Sequence, residues 1–142
     1  YGPGRRPPHT LCPVLVQTLG GELRATIGTM GGDGQPQVLL QLLARLLQQG
    51  QDPGQVISRA RWTLETPART GFNTWDTPDE LTVTLEDDAP AAWAAGLTAR
   101  GHRVELRRSW NWGHAQLIEV TPNGTLAGAA DPRALTGSAA GY

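Results

Sequence analysis

Seven of the ten residues from Val38 to Leu47 are Val or Leu. They fall at positions 38, 39, 40, 42, 43, 46 and 47, a helical pattern wider than a narrow stripe. A helix this apolar needs cover on more than one side, so most of it is expected to be buried. Pro36 suits its first turn and Gly50 its end.

The flanking segments say what covers it. Cys12–Thr18 is apolar and β-branched, and Leu19-Gly20-Gly21-Glu22 supplies a turn into a return strand, Leu23–Ile27. After the helix, Asp52 caps a second one with Pro53 at its first position, expected to run to about Arg61. Arg61–Leu64 is a candidate short strand, and Glu65–Asp79 a long loop. Glu80–Leu85 alternates as a strand, Pro90–Ala99 reads as a third helix closed by Gly101, and His102–Leu106 alternates again. Gly113–Val120 and Thr125–Ala129 flank Pro122-Asn123-Gly124, and Asn-Gly is the strongest short hairpin signal. Hairpins at both ends point to an antiparallel sheet covered by helices, an α+β or layered αββα arrangement.

Bulk properties exclude some functions. Twelve basic residues balance thirteen acidic ones, for a net charge of −1, which favours neither nucleic acid nor an anionic membrane surface. No apolar run reaches the roughly 18 to 20 residues of a membrane span. Every basic side chain is Arg, read as a compositional bias of the source. The single cysteine, Cys12, excludes an internal disulfide and says nothing about compartment. The chain begins at Tyr1 and its one methionine is Met30, so it is expected to be part of a longer product.

Chemistry is best sought between Ile27 and Pro36. There a strand ends, Gly28-Thr29-Met30-Gly31-Gly32-Asp33-Gly34 turns the chain, and the apolar helix begins. Free N–H groups at a helix start carry partial positive charge, and glycines let a ligand approach the backbone. Such a loop can cradle an anion or an oxyanion, or it can be a plain turn with a helix cap. The spacing fits neither the phosphate loop of nucleotide hydrolases nor the dinucleotide fingerprint. A second candidate is Arg6-Pro7-Pro8-His9-Thr10, polar residues entering a core strand; they form either a pocket rim or a simple strand entry. His102 and His114 lack the spacing of metal ligands, and Glu86-Asp87-Asp88 reads as a solvated turn that also caps the third helix. Asp131-Pro132-Arg133 reads as a local ion pair or as a closure of the C-terminus, with no catalytic part. Neither a metal nor a cofactor is expected.

In chain order these pieces resemble the gamma-glutamyltransferase (gamma-glutamyltranspeptidase, glutathione hydrolase) family. Arg6-Pro7 through Pro13 resembles the Arg-Pro segment that leads to two substrate-binding serines. Gly28–Gly32 resembles the family's Gly-Ser-Pro-Gly-Gly oxyanion segment, and Gly32–Gln37 is typical of its bacterial gamma-glutamyltransferase-like branch. Ala60-Arg61 resembles the Ala-Pro-Arg region, and Leu126–Arg133 with the closing Gly-Tyr142 resembles the C-terminus.

The resemblance implies that residues 1–142 are the C-terminal part of the small subunit of an N-terminal-nucleophile hydrolase, an αββα sandwich. It implies a self-cleaving precursor and an N-terminal threonine nucleophile that attacks gamma-glutamyl amides such as glutathione. Gly31 and Gly32 then donate to the oxyanion, and His9 and Thr10 stand where the two serines hold the substrate's carboxylate. The nucleophile is expected upstream of Tyr1, in the remainder of the precursor that partners this chain, so the chain alone is expected to be inactive. Open sheet edges raise the expectation of oligomerisation. His9-Thr10 in place of paired serines keeps open a cephalosporin or glutaryl acylase-like activity, and the missing nucleophile keeps open a non-catalytic binding module.

Overall fold

The computed structural model describes residues 2–5, 11–69, 71, 74–108 and 112–141. His9 and Thr10 lie outside the described residues. The elements run β1 (Val14–Gln17), β2 (Leu23–Thr29), α1 (Gln35–Leu47), α2 (Pro53–Ser58), β3 (Trp62–Glu65), β4 (Thr82–Glu86), α3 (Ala91–Ala99), β5 (Arg103–Arg107), β6 (Ala115–Val120) and β7 (Leu126–Ala130). They build two sheets: a four-stranded one ordered β1-β2-β6-β7 and a three-stranded one ordered β3-β4-β5.

The four-stranded sheet is antiparallel throughout. Its inner face presents Ala25, Ile27, Ala115 and Leu117 to Val38, Leu39, Leu42 and Leu46 of α1 and to Val56 and Ile57 of α2. Each Leu or Ile buried there contributes roughly 1.5–3 kcal/mol. The opposite face carries Leu15, Ile118 and Leu126 exposed to solvent. The smaller sheet departs from the antiparallel expectation, because β4 and β5 pair in parallel. α3 lies between them in sequence and carries the chain back to the same end, and a helical crossover of this kind joins parallel neighbours.

Other boundaries moved for local reasons. β2 continues through Gly28 to Thr29 because both residues pair with β6, at Gln116 and Ala115. α2 begins as expected, with Asp52 Oδ1 accepting from the Gln55 N–H at 3.0 Å, but it stops at Ser58. Arg45 of α1 takes one carbonyl inside it, Val56 O at 3.3 Å, and two beyond its end, Arg59 O at 3.5 Å and Ala60 O at 2.6 Å.

α1 is not apolar on every buried side: Leu40 and Leu47 are exposed, while Gln41 and Arg45 are buried. A polar row, Gln37-Gln41-Arg45, runs along the helix at every fourth residue and meets the edge of β3 at every second one. Gln37 donates to Leu64 O (3.0 Å) and accepts from Leu64 N–H (2.6 Å). Gln41 does the same with Trp62, at 2.8 and 3.0 Å, and Arg45 takes Ala60 O. Four helical residues rise about 6 Å and two strand residues about 6.6 to 6.8 Å, so the repeats match over this length. The amide side chains thereby act as a missing strand and close the β3 edge.

Candidate active site

At the end of β2 the chain turns through Gly31 and Gly32 into a 3-10 turn, Gly32–Gly34, that leads directly into α1. Gly31 has φ 141° and Gly32 φ 57°, values that side-chain-bearing residues rarely adopt. The carbonyl of Gly31 accepts from Gly34 N–H at 3.0 Å, and that of Gly32 from the backbone and side chain of Gln35. Among the described residues, nothing accepts from the N–H of Gly31 or Gly32. Both carbonyls are satisfied and both donors are left over, the condition an anionic ligand at a helix start would meet.

A polar cavity of about 100 Å³ opens beside Gly31, lined also by Asp33, Thr63, Glu65, Arg69, Arg107 and Trp112. Its charges are fixed by ion pairs. Arg107 grips Glu65 with both oxygens at 3.1 Å, Arg69 reaches Glu105 at 3.0 Å, and Asp33 Oδ2 accepts from Gly71 N–H at 2.6 Å.

Behind the glycine loop lies a buried charge network that the sequence reading missed. Arg61 and Asp131 are both fully buried and paired at 2.5 Å. Asp131 also accepts from Ala115 N–H at 2.8 Å and from Arg133. Arg133 in turn grips Glu86, which accepts from Arg61 N–H at 2.6 Å. Glu86 is therefore not part of a solvated turn, and Asp131 is tied to Arg61 across the chain as well as locally to Arg133. Burial pushes the Asp131 carboxyl up, but the Ala115 N–H and the two arginines outweigh it and hold the group below its ordinary range. Burial, then repulsion from Arg133, lowers the Arg61 guanidinium against the pull of Asp131. Burial and the neighbouring Arg61 bring Arg45 to about 10. Ala60-Arg61 and Asp131-Pro132-Arg133 were visible as motifs, but nothing in their spacing said that the two would meet.

The two sheets and their helices define a class: the α+β fold of the solved gamma-glutamyltranspeptidases, which superpose with TM-scores of 0.72 to 0.73. Among solved structures, gamma-glutamyltranspeptidase from Pseudomonas nitroreducens superposes with a TM-score of 0.72 at 25% identity, over 100% of this chain and 66% of that one. Among curated relatives, the oxamate amidohydrolase proenzyme of Klebsiella pneumoniae is 39% identical over 99% of this chain and 25% of its own length. The glutathione hydrolase-like YwrD proenzyme of Bacillus subtilis is 35% identical over 92% of this chain and 24% of its own length. The gamma-glutamyltranspeptidase family model matches residues 1–142, and the chain belongs to that family. It spans about a quarter of the length of these curated relatives.

Proposed function

We propose that these residues form the oxyanion-binding part of an amide-cleaving enzyme, and that the whole protein acts as a gamma-glutamyltransferase or glutathione hydrolase. The observation that carries this reading is the pair of N–H groups at Gly31 and Gly32 with no acceptor among the described residues, where Gly31 lines a polar cavity, in a chain of this family.

In this reading a threonine from the polypeptide outside these residues attacks the amide carbon. Its hydroxyl proton passes to its own α-amine, and the carbonyl electron pair moves onto oxygen. That oxygen faces Gly31 and Gly32, whose donors need no reorganisation as the charge develops. Each such donor is worth about 10²- to 10³-fold in rate. When the intermediate collapses, the C–N bond breaks and the leaving amine takes the proton. Water then releases the acid, or an acceptor amine forms a new amide. His9 and Thr10 hold the substrate's carboxylate, with Thr10 donating a hydroxyl.

A second reading is an amide substrate without an α-amino group, such as oxamate or a glutaryl amide. It is favoured by the 39% identity to an oxamate amidohydrolase and by His9-Thr10 in place of paired serines. Hydrolysis of L-gamma-glutamyl anilide, glutaryl anilide and oxamate by the full-length protein separates the two. A clear preference in kcat/KM for the gamma-glutamyl substrate supports the first reading. Preference for either of the others sinks the first and supports the second. No hydrolysis of any of them leaves a binding module.

A further inference from the structure

Arg61 is fully buried, yet its guanidinium does more than neutralise Asp131. One terminal nitrogen donates to two successive carbonyls, Trp112 O at 2.6 Å and Gly113 O at 3.1 Å. The other donates to Asp131 and to Ile57 O at 3.3 Å. Residues 112 and 113 lead into β6, and Gly113 lies against the glycine loop. A Cβ on Gly31 would stand 3.4 Å from the Gly113 Cα. A Cβ on Gly113, whose φ is 74°, would overlap the Met30 carbonyl and come within 2.6 Å of Thr29 Oγ1. Met30 N–H donates to His114 O at 3.4 Å. The Gly32–Gly34 end of the turn is also held by Gln35 and Gly71, whereas its Met30–Gly31 side meets β6 through the Met30-to-His114 bond and this close approach of two glycines.

We infer that Arg61, oriented by Asp131, is a positioning residue for the oxyanion loop: it pins Gly113 against Gly31 and so sets the direction of the Gly31 and Gly32 N–H groups. The inference rests on the oxyanion reading proposed above. A lysine cannot substitute. Its single ammonium on a flexible stem lacks the planar fork that reaches Asp131 on one side and two carbonyls on the other. Asp131 also accepts from Ala115 N–H, at the point where β6 pairs with Thr29. One carboxylate thus fixes both the guanidinium and the strand beside the loop.

The test uses the full-length protein with three variants: Arg61→Lys, Gly113→Ala and, as a comparison, Arg45→Lys. Arg45 is a buried arginine bonded to carbonyls of α2 and the residues after it, and it has no bond to residues 112–113. Steady-state kinetics on the preferred amide are read beside hydrogen exchange at the Met30 amide. Arg61→Lys and Gly113→Ala are expected to lower kcat by about 30-fold or more, toward the loss of one oxyanion donor, with KM nearly unchanged. Exchange at Met30 is expected to quicken by about tenfold, a local opening. Arg45→Lys is expected to lower the melting temperature while leaving kcat and Met30 exchange near wild type.

Unchanged exchange and kcat in Arg61→Lys overturn the inference, as does an equal change in Arg45→Lys. Faster exchange with unchanged kcat upholds the positioning role and removes the oxyanion reading. Should Arg61→Lys not fold, a fourth variant, Asp131→Asn, keeps the guanidinium but loosens its hold: a lower kcat with faster Met30 exchange upholds the inference, and no change in either overturns it.

Discussion

Removing the Asp131 side chain strips a buried network of its central acceptor. The carboxylate takes Arg61 at 2.5 Å, Ala115 N–H at 2.8 Å and Arg133 at 3.0 and 3.1 Å. In Asp131→Ala, Arg61 keeps its carbonyl partners but loses its counter-charge, and breaking one side of a buried pair typically costs about 3–5 kcal/mol. The orphaned Ala115 N–H adds about 1–3 kcal/mol. The two terms overlap, because water entering the gap serves both, so about 4–6 kcal/mol is expected, against a usual domain stability of about 5–15 kcal/mol. Asp131→Asn keeps the shape and loses the charge, and falls near the lower end of the buried-pair range, about 3 kcal/mol.

The sign with pH follows from the carboxyl being held below its ordinary value in the folded protein. Its stabilisation is fully present above the unfolded value, about 3.9 for an aspartate. It is lost as pH falls through the lower, folded value. The gap between wild type and Asp131→Asn therefore narrows in acid. Urea unfolding of the full-length proteins side by side at pH 7 and pH 3 measures both effects. A loss under about 1 kcal/mol for Asp131→Ala at pH 7, or a gap that widens in acid, refutes the reasoning.

Gln41→Leu leaves both backbone groups of Trp62 without their α1 partner and is expected to lose about 2–4 kcal/mol, read as a lower urea midpoint. Asp52→Ala removes the α2 cap and is expected to lose about 1 kcal/mol by the same assay. Gly31→Ala places a side chain at φ 141° and 3.4 Å from Gly113. In the full-length protein it is expected to lower kcat more than it lowers the melting temperature would suggest, and kinetics beside calorimetry checks this.

Much of this architecture was legible because local signals agreed with one another. The Asn-Gly turn, the Gly20-Gly21 turn, Asp52 before Pro53 and the apolar run of α1 each led to the element that formed. The parallel pairing of β4 with β5 was less visible, since strand alternation reads the same in either direction. The apolar pattern of α1 gave Gln37, Gln41 and Arg45 no role. Their four-residue spacing was the available signal that a second face had polar work to do. Arg61, Asp131 and Glu86 could not be placed, because charged residues so far apart in sequence become buried partners only once both sheets exist. For the glycine loop, the sequence showed where donors would be free but not what they would face.

Two backbone donors and one oxygen make the proposed oxyanion site. The most direct measurement is a crystal structure of the full-length protein trapped as a tetrahedral adduct with its preferred amide substrate's electrophilic analogue. The adduct oxygen is expected at about 2.7–3.1 Å from the nitrogens of both Gly31 and Gly32. An oxygen held by other groups, with these N–H donors pointing elsewhere, contradicts the proposed site.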